Sequence, residues 1–465
     1  MNEALDAARV ALVDEQAWLV GGAVRDRLLG REVTDIDIAV AGDPRAAARR
    51  VSVEAGGPAF ELSDQFGAWR VASRDGRWQI DVMTLQGGSI EEDLARRDFT
   101  INAMAEPLGG GPLLDPHDGV ADLERRLLRV VAPRAFDDDP LRVLRLARFA
   151  CELGLQADPE TVAQARERAD RVPAVAGERI FAELRRVVGA DAVIAGLELM
   201  ESLGLTASLL PEFAALRGVE QNRYHHLDVL SHTLAVLENV VAMQADPGAV
   251  LGDEFAAPVK AWLAQPFADE LTRGTALRFG AMFHDIAKPA TQAHHDDGTV
   301  LGFPGHADEG ARVSRAILAR CKTSERLRAH VAALARHHLD AGYLVSDEPL
   351  SRRAIHRYLM ASGDVAVDVT LLSIADRLAT RGRNADAAIT KHLEVARTLL
   401  GAAIEYQEAG PAPALIRGDD LAAELGIALG PEVGRLLAAL AEAQYADEIR
   451  TRDDAIAYAR GLLGA

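Results

Sequence analysis

The stretch Gly21-Gly22-Ala23-Val24-Arg25-Asp26-Arg27-Leu28-Leu29-Gly30, followed by Thr34-Asp35-Ile36-Asp37-Ile38-Ala39-Val40, decides how this 465-residue chain is read. Trp18-Leu19-Val20 has the pattern of a short apolar strand, Gly21-Gly22 that of a turn, and Ala23 to Leu29 that of an opening helix. Backbone N–H groups at such a turn, with Arg25 beside them, suit a polyphosphate. Along Asp35 to Val40 a strand period of two puts Asp35 and Asp37 on one face, and Ile36 and Ile38 on the core face. Two carboxylates held that close are best neutralised by a divalent cation. A glycine turn and a solvated aspartate pair would each be ordinary alone. Their succession favours phosphate and metal.

This spacing resembles motif A of the nucleotidyltransferase superfamily, in the class II form shared by CCA-adding tRNA nucleotidyltransferases and bacterial poly(A) polymerases. The resemblance implies two-metal phosphoryl transfer, with Asp35 and Asp37 as catalytic residues holding Mg²⁺. An in-line displacement needs its attacking oxygen and its leaving pyrophosphate both stabilised, and two clamped cations do both. Asp81, in the alternating run Trp78-Gln79-Ile80-Asp81-Val82-Met83, is either a third carboxylate or a residue on an open sheet face.

Further motifs extend the resemblance over residues 15–190. In Asp93-Leu94-Ala95-Arg96-Arg97-Asp98-Phe99-Thr100-Ile101-Asn102-Ala103, Arg96, Arg97 and Asp98 offer groups suited to a phosphate and ribose hydroxyls. The segment Leu114 to Leu123 is similar to motif C, and its turn chemistry suits a structural role. Phe136-Asp137-Asp138-Asp139-Pro140-Leu141-Arg142 resembles motif D; by itself it is an ordinary helix start, with Asp139 capping and Pro140 at the first position. The resemblance turns Asp139 and Arg142 toward the incoming base. A carboxylate accepts from the exocyclic amines of cytosine and adenine and repels the carbonyls of uracil and guanine. Arg145 and Arg148 follow at three-residue spacing, and either line the nucleotide pocket or the RNA path, or pair with nearby acids. Gly21, Gly22 and Arg25 complete the expected nucleotide site. Arg179, Arg185 and Arg186 either meet an acceptor stem or form ion pairs along a solvated helix.

A second site is expected farther on. His232, the doublet His284-Asp285 and Asp376 occur in an order that resembles the HD phosphohydrolase superfamily, and Phe283-His284-Asp285-Ile286-Ala287-Lys288-Pro289 is similar to its central motif. With His306 and His337 of the His337-His338 doublet, they form an expected ligand set for a divalent metal of unspecified identity. Lys288 is placed either to support a phosphate or on the surface, and His225, His226, His294 and His295 receive no role. Domains of this kind imply action on phosphate monoesters and 2′,3′-cyclic phosphodiesters, which would suit repair of a tRNA end.

Composition bounds these readings. The chain is 49% hydrophobic with a net charge of −19, so it has ample core and no general attraction to nucleic acid. A local basic groove remains open to it. Two distant cysteines, Cys151 and Cys321, make no disulfide framework, the N-terminus lacks a signal pattern, and no apolar run approaches the ~20 residues of a membrane span. A cytoplasmic protein with no membrane partner is expected.

The fold class is α+β: a nucleotidyltransferase head with a small mixed sheet (residues 1–125), a helical neck and RNA-binding region (126–220), an HD helical bundle (225–390) and a helical tail (391–465). The stretch from Asp246 to Gly274 reads as a connector or insertion. The expected partners are tRNA, ATP and CTP, the expected reaction is addition of C, C and A, and no oligomeric state is implied. The rivals are a poly(A) polymerase, a CC-only or A-only enzyme, and a metal phosphohydrolase whose head merely binds RNA.

Overall fold

A computed structural model of the chain describes residues 3–63, 67–222, 226–347, 349–382 and 385–464. Two compact units divide it, Met1–Leu209 and Leu210–Ala465. His225 lies outside the described residues.

The first unit is built on six strands: β1 (Ala17–Val20), β2 (Asp35–Val40), β3 (Ala59–Ser63), β4 (Ala68–Ala72), β5 (Gln79–Thr84) and β6 (Ala105–Pro107). Their order is β3-β4-β5-β2-β1-β6, with β2 and β5 parallel and the other pairs antiparallel. The sheet is mixed, as expected, and β6 is a three-residue strand too short to show a period. Alternation sorts its faces: Ile36, Ile38, Ile80 and Val82 are at most 1% exposed. The intervening Asp35, Asp37 and Asp81 therefore emerge on the opposite face. The helix Pro44–Ala55 is capped by Asp43, whose carboxylate accepts from the Arg45 N–H at 3.0 Å, and it buries Ala47, Ala48 and Val51.

Register brings the motifs together. Val20 pairs with Asp37, so the chain leaves β1 at Gly21 directly beside that carboxylate. Asp37 in turn pairs with Asp81 on β5. In the segment Leu114 to Leu123, Asp115 accepts from the Gly119 and Val120 N–H groups at 2.7 and 2.9 Å. Buried Asp122 accepts from Thr100 at 2.6 Å and from Arg129 at 3.0 Å. Beyond it come the helices Leu141–Leu153 and Gly177–Gly189; the strand Leu127–Leu128 before the first pairs in parallel with Gln156–Ala157 after it.

In the second unit the helices Val229–Ala245, Arg273–Phe283, His306–Arg320, Glu325–His337 and Ala366–Ala379 form a bundle. The stretch expected as a connector contains two helices, Pro247–Leu251 and Asp253–Leu263. Helix Ala385–Ala409 runs through the expected boundary at 390/391. After it, the last three helices close a core of their own around Leu421, Leu436, Leu440 and Ile456. Among the described residues, Arg352–Ala379 is the stretch with the length and apolarity of a membrane span, and 78% of its apolar window is buried inside the protein.

Candidate functional site

A cleft of about 470 Å³ opens over the acidic face of the sheet. Gly21, Gly22, Asp35, Asp37, Asp98, Asp139 and Asn102 line it, together with Arg25, Arg97, Arg142, Arg145, Arg148 and Arg186. Six guanidiniums thus face a pair of carboxylates. Burial pushes the Asp37 carboxyl up to about 6; Arg97 opposes the push, and the neighbouring Asp81 and Asp35 add to it. Among the described residues no side-chain donor hydrogen-bonds Asp37. Asp35 accepts from Gln79 Nε2 at 2.7 Å. Asp81 stands beside Asp37 but is held by Arg70, through Nε at 2.7 Å and Nη2 at 2.8 Å.

The glycine turn is shaped by these neighbours. Gly21 has φ 68° and ψ −133°, a conformation that L side chains avoid. A Cβ there would lie 2.7 Å from Arg97 Nη1 and 3.5 Å from Asp37 Oδ2. Arg97 has little room to yield, because buried Asp93 accepts from its Nε at 3.0 Å and its Nη2 at 2.9 Å. Gly21→Ala is therefore expected to cost roughly 1–3 kcal/mol of stability. By displacing Arg97, it should also cut nucleotide incorporation about tenfold or more. Thermal melts and steady-state kinetics on the variant check both.

Behind the cleft wall, charges are paired in a chain. Arg25 donates to Asp26 at 2.9 and 2.8 Å and to Asn102 Oδ1 at 2.6 Å. Asn102 Nδ2 donates to Asp98 at 3.0 Å, as does the Phe99 N–H at 2.8 Å. Arg145 donates to the second Asp98 oxygen through Nε at 2.9 Å and Nη2 at 2.6 Å. Against the cost of burial, Arg145 and Asn102 hold the Asp98 carboxyl well below the usual range. Buried Glu183 then pairs with Arg145 at 3.3 Å and Arg148 at 3.0 Å.

Asp98 lines the cleft, and its oxygens accept from four protein donors, two of them on Arg145. Arg96 is exposed and its side chain does not line the cleft; its backbone carbonyl accepts from Arg142 Nη2 at 2.8 Å. Pro140, not Asp139, occupies the cap position of the following helix; Asp139 accepts from the Leu141 N–H at 3.1 Å, and Arg179 holds its other oxygen at 2.7 Å. Asn102 and Glu183 escape a reading by motif, because Arg25 and the arginines paired with Glu183 lie on other elements.

The second unit gathers the expected histidines. His232, His284 and Asp285 form one group able to hold a metal ion, and Asp285, His306 and His338 form another. Asp285 belongs to both. Three of the histidines share one device: His284, His306 and His338 each turn Nδ1 to the backbone carbonyl three residues earlier, at 2.8, 2.7 and 2.7 Å. That bond fixes Nδ1 as the protonated nitrogen and leaves the Nε2 lone pair facing inward. His306 Nε2 and His338 Nε2 consequently stand 3.4 Å apart, His284 Nε2 lies 3.1 Å from Asp285 Oδ2, and buried Asp285 Oδ1 has no hydrogen-bond partner among the described residues. Asp376 lies 3.0 Å from His232 Nε2.

The histidine that completes the cluster is His338, not His337. Helix Glu325–His337 ends at this point, and one further residue of rotation carries the side chain from the outer to the inner face. His337 instead bonds Asp340 at 2.8 Å. Lys288 is buried, its Nζ 2.7 Å from both Asp285 Oδ2 and Gln221 Oε1. Against the cost of burial, His284 and Lys288 hold the Asp285 carboxyl well below the usual range.

An acidic pair on a sheet face beneath converging arginines defines a phosphoryl-transfer type of site, and comparison with known proteins narrows the class. A poly A polymerase head domain matches residues 17–129, a probable RNA and SrmB-binding site of polymerase A matches 154–216, and an HD domain matches 229–381. An A-adding tRNA nucleotidyltransferase of Deinococcus radiodurans is 36% identical, covering 95% of this chain and 94% of that protein. A CC-adding tRNA nucleotidyltransferase of Thermus thermophilus is 34% identical, covering 96% and 93%. A multifunctional CCA protein of Nitrosococcus oceani is 32% identical over 70% of this chain and 74% of its own length. Among solved structures, a CCA-adding enzyme with CTP aligns with a TM-score of 0.65 at 19% identity, covering 98% of this chain and 95% of that one. The chain belongs to the CCA/A-adding tRNA nucleotidyltransferases with a poly A polymerase head domain, and it carries an HD domain.

Proposed function

We propose that this protein adds C, C and A to tRNA 3′ ends without a template, using CTP and ATP in the cleft of the first unit. The observation that supports this most directly is the pairing of Asp35 and Asp37 with six arginines around one cleft. The donor set fits Mg²⁺: two crowded carboxylates on one strand face, one with its ionised form disfavoured by burial. Bound there, the ions would supply charge stabilisation for the attacking hydroxyl and the leaving pyrophosphate. Asp35 and Asp37 hold them, and Arg25, Arg97, Arg145 and Arg148 present N–H groups to the triphosphate. The Gly21-Gly22 turn keeps side chains out of the way.

Base choice falls to Asp139 and Arg142. Each Asp139 oxygen keeps a lone pair beyond its present bond, enough to accept from the amine of cytosine or adenine. Asp139→Ala and Arg142→Ala are expected to lower discrimination of CTP over UTP by about tenfold to a hundredfold. Competition assays with mixed nucleotides on a tRNA acceptor measure this. Discrimination equal to that of the parent would remove both residues from base selection.

A second reading is partial addition, of CC alone or A alone. It is favoured because the relatives matching over 95% and 96% of this chain are named for those partial activities.

For the second unit we infer a divalent-metal phosphohydrolase acting on phosphate monoesters or 2′,3′-cyclic phosphodiesters at a tRNA end. The inward lone pairs of His284, His306 and His338 support it. His232, Asp285 and Asp376 complete the ligand set, and His338 takes the place expected for His337. We assign the head to residues 1–125, the neck to 126–220, the HD bundle to 225–390 and the tail to the remainder. Two free, buried thiols suit a reducing cytoplasm.

A further inference from the structure

Phe149 is buried in the cleft wall, 2% exposed. Three guanidinium carbons surround its ring: Arg148 at 3.9 Å from the centroid, Arg25 at 5.1 Å and Arg145 at 5.3 Å. The ring itself is fixed by Phe99, packed edge-on with centroids 5.7 Å apart and planes at 83°. Three like charges cannot gather in so small a volume without compensation.

Carboxylates supply part of it. Asp26 holds Arg25, Asp98 holds Arg145, and Glu183 is shared by Arg145 and Arg148. Arg148 is the least satisfied of the three: its Nε is buried with no hydrogen-bond acceptor among the described residues, and Glu152 stands 3.6 Å away. Burial lowers its pKa to about 10. The negative face of an aromatic ring is what remains to receive it. An aliphatic side chain of similar bulk would leave three cations against hydrocarbon, and they would separate.

We propose that Phe149 is a positioning residue for nucleotide binding: its ring gathers Arg25, Arg145 and Arg148 so that their N–H groups converge on the triphosphate. This rests on the nucleotidyl-transfer reading of the cleft, and it makes an apolar residue part of the anion site.

Kinetics with CTP and ATP separate this role from plain packing. Phe149→Leu is expected to raise KM for nucleotide about tenfold, the loss of a desolvated cation–π contact, with kcat within about threefold. Phe149→Tyr, which keeps the ring, should restore KM. Phe136→Leu serves as the packing control, since it removes a fully buried ring from the same aromatic cluster, one that among the described residues has no guanidinium stacked on it. Its KM should stay at the parent value. Should Phe149→Leu fail to fold, Phe149→Met carries the same comparison. An unchanged KM in the aliphatic variant, or an equal rise in Phe136→Leu, overturns the proposal. Calorimetric binding of inorganic tripolyphosphate keeps the test independent of turnover. A parent enzyme that adds no nucleotide would sink the transfer reading. The positioning role would still stand if tripolyphosphate bound about tenfold more weakly to Phe149→Leu, and would fall if it bound equally.

Discussion

Asp37→Asn is expected to abolish nucleotide incorporation while leaving the metal-free fold at least as stable as the parent. Loss of one carboxylate removes several kcal/mol of charge stabilisation held through the metal, a fall of about 10³-fold or more in rate. Stability should move the other way. Burial and the carboxylates of Asp81 and Asp35 disfavour the ionised form of Asp37, which titrates near 6 in the fold against 3.8 as its ordinary value. A carboxyl whose pKa is raised by folding contributes stability that is fully present below its unfolded pKa and lost as pH rises through its folded pKa. The neutral amide escapes that loss. In chelator, the variant should therefore gain on the parent between pH 4 and pH 7, by roughly 1–3 kcal/mol for a half-buried group. Thermal melts at the two pH values, beside incorporation assays, check both halves. A variant less stable than the parent at pH 7 would mean that Asp37 is held by a partner and is not crowded.

Asp285→Ala should strip the second unit of its metal. Asp285 belongs to both ligand groups: Oδ1 faces His306 and His338 at 3.5 and 3.7 Å, and Oδ2 faces His284 at 3.1 Å. No single histidine touches as much of the centre. Truncation also leaves Lys288 buried without its carboxylate, so the variant should lose about 3–5 kcal/mol of stability. Elemental analysis should find the parent's divalent metal absent. Hydrolysis of p-nitrophenyl phosphate and of 2′,3′-cyclic AMP should fall by about 10³-fold or more. Nucleotide addition, which uses residues of the first unit, should persist in the soluble fraction. Retention of the metal in the variant would move the site elsewhere.

Much of the head was legible because alternation reports burial directly. The runs around Ile36 and Ile80 could bury their isoleucines only by presenting Asp35, Asp37 and Asp81 on the other face. Pairing was not legible. Nothing local says that β2 runs parallel to β5, yet that register sets Asp81 beside Asp37. The same holds for Arg25 with Asn102 and for Arg145 with Asp98, partners 77 and 47 residues apart. Motif reading consequently could not show that the Asp98 oxygens accept from Asn102, Arg145 and the Phe99 N–H. Arg96 and Arg97 differ for a related reason. Asp93, four residues before Arg97, captures its guanidinium and aims it at Asp37, whereas Arg96 points to solvent.

At the histidine doublet the uncertainty was one of phase. Adjacent residues at a helix end face about 100° apart, and only the packed bundle shows that His338 faces Asp285. The stretch from Asp246 to Gly274 was obscured by its prolines and glycines: Pro247 begins the first helix and Gly252 separates the two, but Pro258 sits inside the second.

The most direct test of the account is to incubate the purified protein with Mg²⁺ and a tRNA lacking its 3′ CCA, offering each nucleoside triphosphate singly and then CTP with ATP. Two additions from CTP, one more once ATP is present, and then a stop are the predicted result. Growth of long A tails, or no incorporation at all, would contradict it.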